Sequence, residues 1–145
     1  MGRFLGIDYG KKRTGLAVCD PTKTIAGPFT TVLTSNLHSF IESYVTDEDV
    51  EGFVIGYPRQ MNNKLSEAVK YIDPFVKYLG KKYPDIPVYL IDERFTSKMA
   101  KQAMVSGGMK KQKRRDKANV DKISAAIILQ SFLDQKNLQL PHKKV

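Results

Sequence analysis

Four carboxylates stand where the chain changes from one kind of element to another. Asp8 ends the apolar run "RFLGID", Asp92 and Glu93 end "IPVYLIDE", and Asp121 opens "VDKISAAIILQSFL". Directly after Asp8 comes the glycine-punctuated stretch "YGKKRTG", with Lys11, Lys12 and Arg13. Carboxylates gathered in one place repel one another, and a divalent cation is the simplest compensation. Neighbouring cations would hold phosphate oxygens. Each residue also has a plainer use: Asp8 could cap its own turn, Asp92 and Glu93 could pair with Arg94, and Asp121 could answer a helix macrodipole.

The metal such carboxylates would take is a hard one. The chain has a single cysteine, Cys19, and two histidines, His38 and His142, too few for a zinc site of the usual kind. Oxygen ligands point to Mg²⁺ or Mn²⁺. One cysteine also excludes an intramolecular disulfide, and no apolar run at the N-terminus is long enough for a signal peptide or membrane span. The expectation is a cytoplasmic protein with no membrane partner.

The elements that must position these groups read as an α/β protein with a mixed central sheet and helices on both faces. "RFLGID", "GLAVCD" and "PFTTVL" predict three successive strands. A helix over "SNLHSFIESYV" follows, with Ser35 or Asn36 as N-cap, and then the buried strand "GFVIG". Leu65, Val69, Ile72, Val76 and Leu79 recur at helical spacing, with Asp73-Pro74 as a kink, before the strand that ends at Asp92 and Glu93. A helix over "TSKMAKQAMVSGG" and a final buried helix from "NVDKISAAIILQ" complete the order, with Asp121 in the first turn of the last. Asp121, Ala125, Ile128 and Phe132 share one stripe of that helix, the stripe that faces the sheet. Ligands of open α/β sheets collect at the carboxyl ends of strands, so Asp8 and the Asp92-Glu93 pair can share one rim if their strands are parallel neighbours.

Charge is distributed unevenly over the 145 residues. The net charge is +9, yet residues 1–93 hold 11 basic and 12 acidic residues while residues 94–145 hold 13 and 3. The densest run is "KKQKRRDK", containing Lys110, Lys111, Lys113, Arg114, Arg115 and Lys117. It reads as a solvated loop or a phosphate-binding strip, and favours an acidic partner.

Four stretches in this order, "GIDYGKKRTGLAV", "GYPRQMNN", "DERFTSKMA" and "VDKISAAIILQSFL", resemble the YqgF/RuvX family of RNase H-like nucleases, described as Holliday junction resolvases or pre-16S rRNA nucleases. The resemblance runs from Arg3 to Leu133. It departs at Met61 to Asn63, where "MNN" replaces the Asp-Gly or Asn-Gly often seen there. "GIDYG" alone equally resembles the phosphate loop of sugar kinases and actin-like ATPases, but the chain is too short for their second lobe. The family resemblance implies one RNase H-like domain over residues 1–135, followed by a short basic tail over 136–145.

It also implies a catalytic, metal-binding set of Asp8, Glu93 and Asp121. The choice of Glu93 over Asp92 comes from the family pattern alone, since alternation in a strand covered on both faces allows either. Two Mg²⁺ or Mn²⁺ ions, roughly 4 Å apart and bound with or without substrate, would activate a water and stabilise a leaving 3′ oxygen. Lys11, Lys12, Arg13 and Arg59, with the basic run, would bind the nucleic acid. Thr96 and Ser97 are lesser candidates for its backbone, and Tyr9 and Tyr57 for stacking on its bases. The implied partner is structured nucleic acid, either precursor rRNA in ribosome biogenesis or a DNA junction in recombination, handled by a monomer. A third reading is a binding or assembly factor with weak catalysis.

Overall fold

β1, Arg3–Asp8, is an inner strand of the sheet, and its residues are buried on both sides. Leu5 and Ile7 enter one core, Phe4 the other. That pattern is why the stretch reads as a near-continuous apolar run rather than an alternating one. The computed structural model describes residues 2–57, 69–92, 117–137 and 143–144. Among them the strands lie in the order β3-β2-β1-β4-β5-β6 in one sheet, with β2 Arg13–Cys19, β3 Ala26–Leu33, β4 Val50–Tyr57, β5 Val88–Asp92 and β6 Lys143–Lys144. β1, β4 and β5 are parallel, and β2, β3 and β6 run antiparallel to their neighbours. The sheet is therefore mixed, as expected, and the short β6 adds two residues of the basic tail to its far edge.

Helices α1 (Leu37–Asp47) and α2 (Val69–Lys82) cover one face of the sheet. Leu37 and Ile41 of α1 and Ile72, Phe75, Val76 and Leu79 of α2 meet Leu5, Ile7, Leu16, Phe53 and Ile55 there. The helix α3 (Lys117–Asn137) covers the other, with Ala125, Ile128, Leu129, Phe132 and Leu133 against Phe4, Ala17, Val54 and Ile91. Each fully buried large side chain contributes about 1.5–3 kcal/mol, so both layers are strongly held. Cys19 is buried in the α3 layer, where its sulfur accepts the Phe4 N–H at 3.2 Å. Burial pushes its thiol pKa up, which removes it from nucleophilic chemistry.

Of the local expectations, Asn36 takes the N-cap position and Pro74 falls within its helix, while Asp121 leaves the first turn. A single 3-10 turn, Thr34–Asn36, leads into α1, so Ser35 lies in that turn, and Asn36 holds the N-cap position without a side-chain cap bond. Pro74 sits inside α2, where it removes the N–H that would reach Lys70. α3 begins at Lys117, which places Asp121 in its second turn. The macrodipole fades within the first turn, so capping does not account for an aspartate there. No helix among the described residues is long and apolar enough to cross a membrane.

Candidate functional site

The parallel strands end together. Ile7 is level with Ile55 and Ile55 with Leu90, while Tyr57 pairs with Asp92 two residues further on. Asp8 and the end of β5 thus lie on one rim, the relation that the sequence made conditional on parallel neighbours.

The turn after Asp8 is tight because Gly10 allows it: a β-carbon on Gly10 would stand 2.1 Å from the Arg13 carbonyl oxygen. Thr34, the first residue of the 3-10 turn that follows β3, braces this turn. Its N–H donates to Lys12 O at 2.9 Å and its hydroxyl to Gly10 O at 2.6 Å. Having spent its proton there, the Thr34 hydroxyl accepts from the wholly buried Thr14 hydroxyl at 2.9 Å. Lys11 and Lys12 remain exposed at the tip of the turn. The sequence reading missed both threonines, since no local pattern links Thr34 to a turn formed more than twenty residues earlier.

Asp8 has the same strand parity as Phe4 and Gly6, and a β-carbon on Gly6 would meet Leu129 and Ala125, so this is the α3 side of the sheet. Across the β1–β2 ladder Asp8 pairs with Gly15. Gly15 in turn lies directly under α3: a β-carbon on it would stand 2.0 Å from Asp121 O and 2.7 Å from Lys122 N. Asp8 and Asp121, from opposite ends of the chain, are thereby brought to the same place. The signal that could have found this contact is a glycine inside the strand pattern "RTGLAV", which marks close approach of another backbone.

Arg13 joins them. Its Nε donates to Asp121 Oδ2 at 3.3 Å, both side chains being partly exposed. Arg13 therefore lies on a carboxylate rather than free beside it. Among the described residues no three acidic, histidine or cysteine side chains form a metal-holding group. Glu93, Arg59, Thr96, Ser97 and the cations Lys110, Lys111, Lys113, Arg114 and Arg115 lie outside the described residues. Tyr89 and Ile91 of β5 pack in the α3 layer, and position 93 has their parity in the sequence.

The two tyrosines singled out in the sequence are committed to packing. Tyr9 stacks on Phe75 with ring centroids 4.8 Å apart, and burial pushes its phenol pKa up. The Tyr57 hydroxyl donates to Asp73 Oδ1 at 2.9 Å, tying the end of β4 to α2. Among the described residues, the exposed aromatic at this rim is Tyr71 in the first turn of α2, whose ring lies 5.4 Å from Lys11 Nζ.

The model of the family described as RuvX: Holliday junction resolvase matches residues 2–135. The chain is similar to a protein of Porphyromonas gingivalis named "Putative pre-16S rRNA nuclease", 56% identical over 134 residues, covering 92% of this chain and 97% of that protein. A protein of Phocaeicola vulgatus with the same name is 57% identical over 136 residues, covering 94% of this chain and 98% of its own length. Among solved structures, RuvC of T. thermophilus in complex with a Holliday junction substrate superimposes with a TM-score of 0.62 at 16% identity, over 99% of this chain and 100% of that one. The Fowlpox virus resolvase bound to Holliday junction DNA gives 0.56 at 12% identity, over 92% and 98%. Likeness at these identities speaks for the fold, and the fold is RNase H-like.

Proposed function

Since the chain belongs to the RuvX family over residues 2–135, we propose that it is a metal-dependent nuclease that hydrolyses phosphodiester bonds in the 5′-end maturation of precursor 16S rRNA. The observation that carries this reading is the packing of the Asp121 backbone on Gly15, the ladder partner of Asp8. It supports two hard oxygen donors converging at the carboxyl ends of the parallel strands.

The donor chemistry fits a divalent cation. Both groups are carboxylates, and Asp121 already draws one positive charge, the Arg13 guanidinium. Asp8, Asp121 and Glu93 would hold Mg²⁺ or Mn²⁺. The bound metal supplies a water of lowered pKa and charge neutralisation at the leaving oxygen. Lys11 and Lys12, on the braced Gly10 turn, hold the phosphates flanking the scissile bond, and the Thr34 hydrogen bonds keep that turn at a constant distance from Asp8. Arg13 holds Asp121 in place before substrate arrives and is the nearest cation for an incoming phosphate. Water attacks phosphorus, the bond to the 3′ oxygen breaks, and the products are a 5′-phosphate and a 3′-hydroxyl. Arg59 and the run from Lys110 to Arg115 add backbone contacts outside this centre. The setting is the cytoplasm, and the names of the close relatives favour RNA over DNA as substrate.

The deciding experiment is Mn²⁺-dependent cleavage of precursor rRNA and of a synthetic four-way junction, measured side by side. Cleavage of the rRNA near its mature 5′ end supports the proposal. Intact products with every substrate, despite binding, would leave an assembly factor. Symmetric junction cleavage needs two sites and hence a dimer. Phe29 and Leu33, exposed on the edge strand β3, with Ile25 exposed just before it, would be the surface for a second copy. Junction cleavage by a dimer seen in light scattering would favour that second reading.

A further inference from the structure

We propose that Tyr71 is a base-stacking platform, holding an unpaired nucleotide of the substrate on the side of the active rim opposite α3. This inference rests on the nuclease reading and assigns one binding position within it.

Tyr71 differs from the other aromatic side chains around it. Tyr9, Phe75, His38 and Tyr78 stack in a row with centroid separations of 4.8, 6.0 and 3.8 Å, and Tyr57 is hydrogen-bonded to Asp73. Tyr71 takes no part in that row. It is 44% exposed although the apolar face of its own helix, Ile72, Phe75, Val76 and Leu79, is buried beside it. Its ring is left open to solvent beside that buried face, so what lies against it decides what it can hold.

What does lie against Tyr71 is a cation of the proposed phosphate-binding turn. Lys11 Nζ stands 5.4 Å from the ring centroid, within cation–π range. Lys11 is three residues beyond Asp8, so the ring is tethered to the catalytic rim through the Gly10 turn. A positive side chain next to an exposed ring is the pairing used for single-stranded nucleic acid: the cation takes a phosphate and the π-face takes the adjoining base. On binding, the phosphate draws the Lys11 ammonium away and a base takes its place on the ring. Stacking tolerates every base, which suits an unpaired segment selected by shape rather than sequence.

The chain contains no tryptophan, so Tyr71→Trp introduces a single reporter. Its fluorescence is titrated with a single-stranded RNA oligonucleotide and with an abasic one of equal charge, binding being followed independently by anisotropy of a labelled strand. Phe29→Trp, on the edge strand β3, is the control. The expected result is quenching of the Tyr71→Trp variant by the base-containing strand alone, and no quenching in the control. Tyr71→Ala should weaken the base-containing strand about tenfold and leave the abasic strand unchanged. Binding of both strands without quenching overturns the platform and leaves the nuclease reading standing. Failure of the wild-type protein to bind the base-containing strand also overturns the platform, and the nuclease reading is decided separately by cleavage of precursor rRNA.

Discussion

Gly15 and Asp121 touch backbone to backbone: a β-carbon on Gly15 would lie 2.0 Å from the Asp121 carbonyl oxygen and 2.2 Å from its carbon. Those are main-chain atoms of a helix, which cannot swing aside as a side-chain tip can. Gly15→Ala must lift the start of α3 from the sheet and carry Asp121 away from Asp8. A loss of about 1–3 kcal/mol of stability is expected from the overpacking, with a larger proportional loss of cleavage. Urea unfolding and a cleavage assay on the same preparation check this, and unchanged activity would contradict the proposed pairing of the two aspartates.

Removing the charge of Asp8 should abolish the chemistry and spare the fold. Asp8→Asn keeps the side-chain shape but weakens the metal-binding pair, worth several kcal/mol of transition-state stabilisation, or a loss of about a hundredfold or more. Less carboxylate repulsion means that stability should hold or rise. Thermal unfolding and single-turnover cleavage measure the two effects separately.

On the proposed site, Arg13 and a divalent cation should compete for Asp121. Arg13→Gln removes a partly exposed ion pair, so stability should change by no more than about 1 kcal/mol. Mn²⁺ affinity of the free protein should rise while affinity for nucleic acid falls. Calorimetry with the metal alone tests the first effect, and weaker or unchanged metal binding would argue against competition.

For the basic run, replacing Lys110, Lys111, Lys113, Arg114 and Arg115 by glutamine should lower affinity alike for every sequence tested. It should also flatten the dependence of log affinity on log salt by somewhat less than one unit per lost contact. An unchanged slope would mark the run as solvated and uninvolved.

Asp20 predicts an acid-sensitive turn between β2 and β3. Its carboxylate accepts the Ile25 and Thr24 N–H groups, each at 2.8 Å, and the Thr22 hydroxyl, which lowers its pKa to about 2. The folded value lies below the unfolded one, so in the interval between them the unfolded chain binds more protons. The stabilisation is complete above about pH 4 and disappears as pH falls toward 2. The stability difference between wild type and Asp20→Ala, followed from pH 6 to pH 2, should shrink through that window.

Much of this was readable in one dimension because it depends on near neighbours. The apolar run that ends at Asp8, the glycine turn with Lys11 to Arg13, and the apolar stripe from Ala125 to Phe132 are all patterns of a few residues, and strands and helices formed where they fall. Aspartate and glutamate without a histidine or cysteine cluster restrict the proposed metal to hard cations. The position of Asp121 in the second turn rather than the first was not legible, because helix ends are set by competing local bonds that a few residues do not decide.

Only the tertiary structure decided which groups meet. Arg13 and Asp121 are separated by 108 positions, and nothing local tells that a guanidinium meant for phosphate rests on a carboxylate. Tyr9, Tyr57 and Tyr71 look alike as letters. Which ring is stacked, which is hydrogen-bonded and which stands open beside Lys11 follows from how α2 lies on β1 and β4. A sequence carries the period of each surface, but the docking of two surfaces is a balance of long-range packing: Gly6 and Gly15 let α3 approach closely enough to bring Asp121 to Asp8, and that approach exists only once the sheet is built.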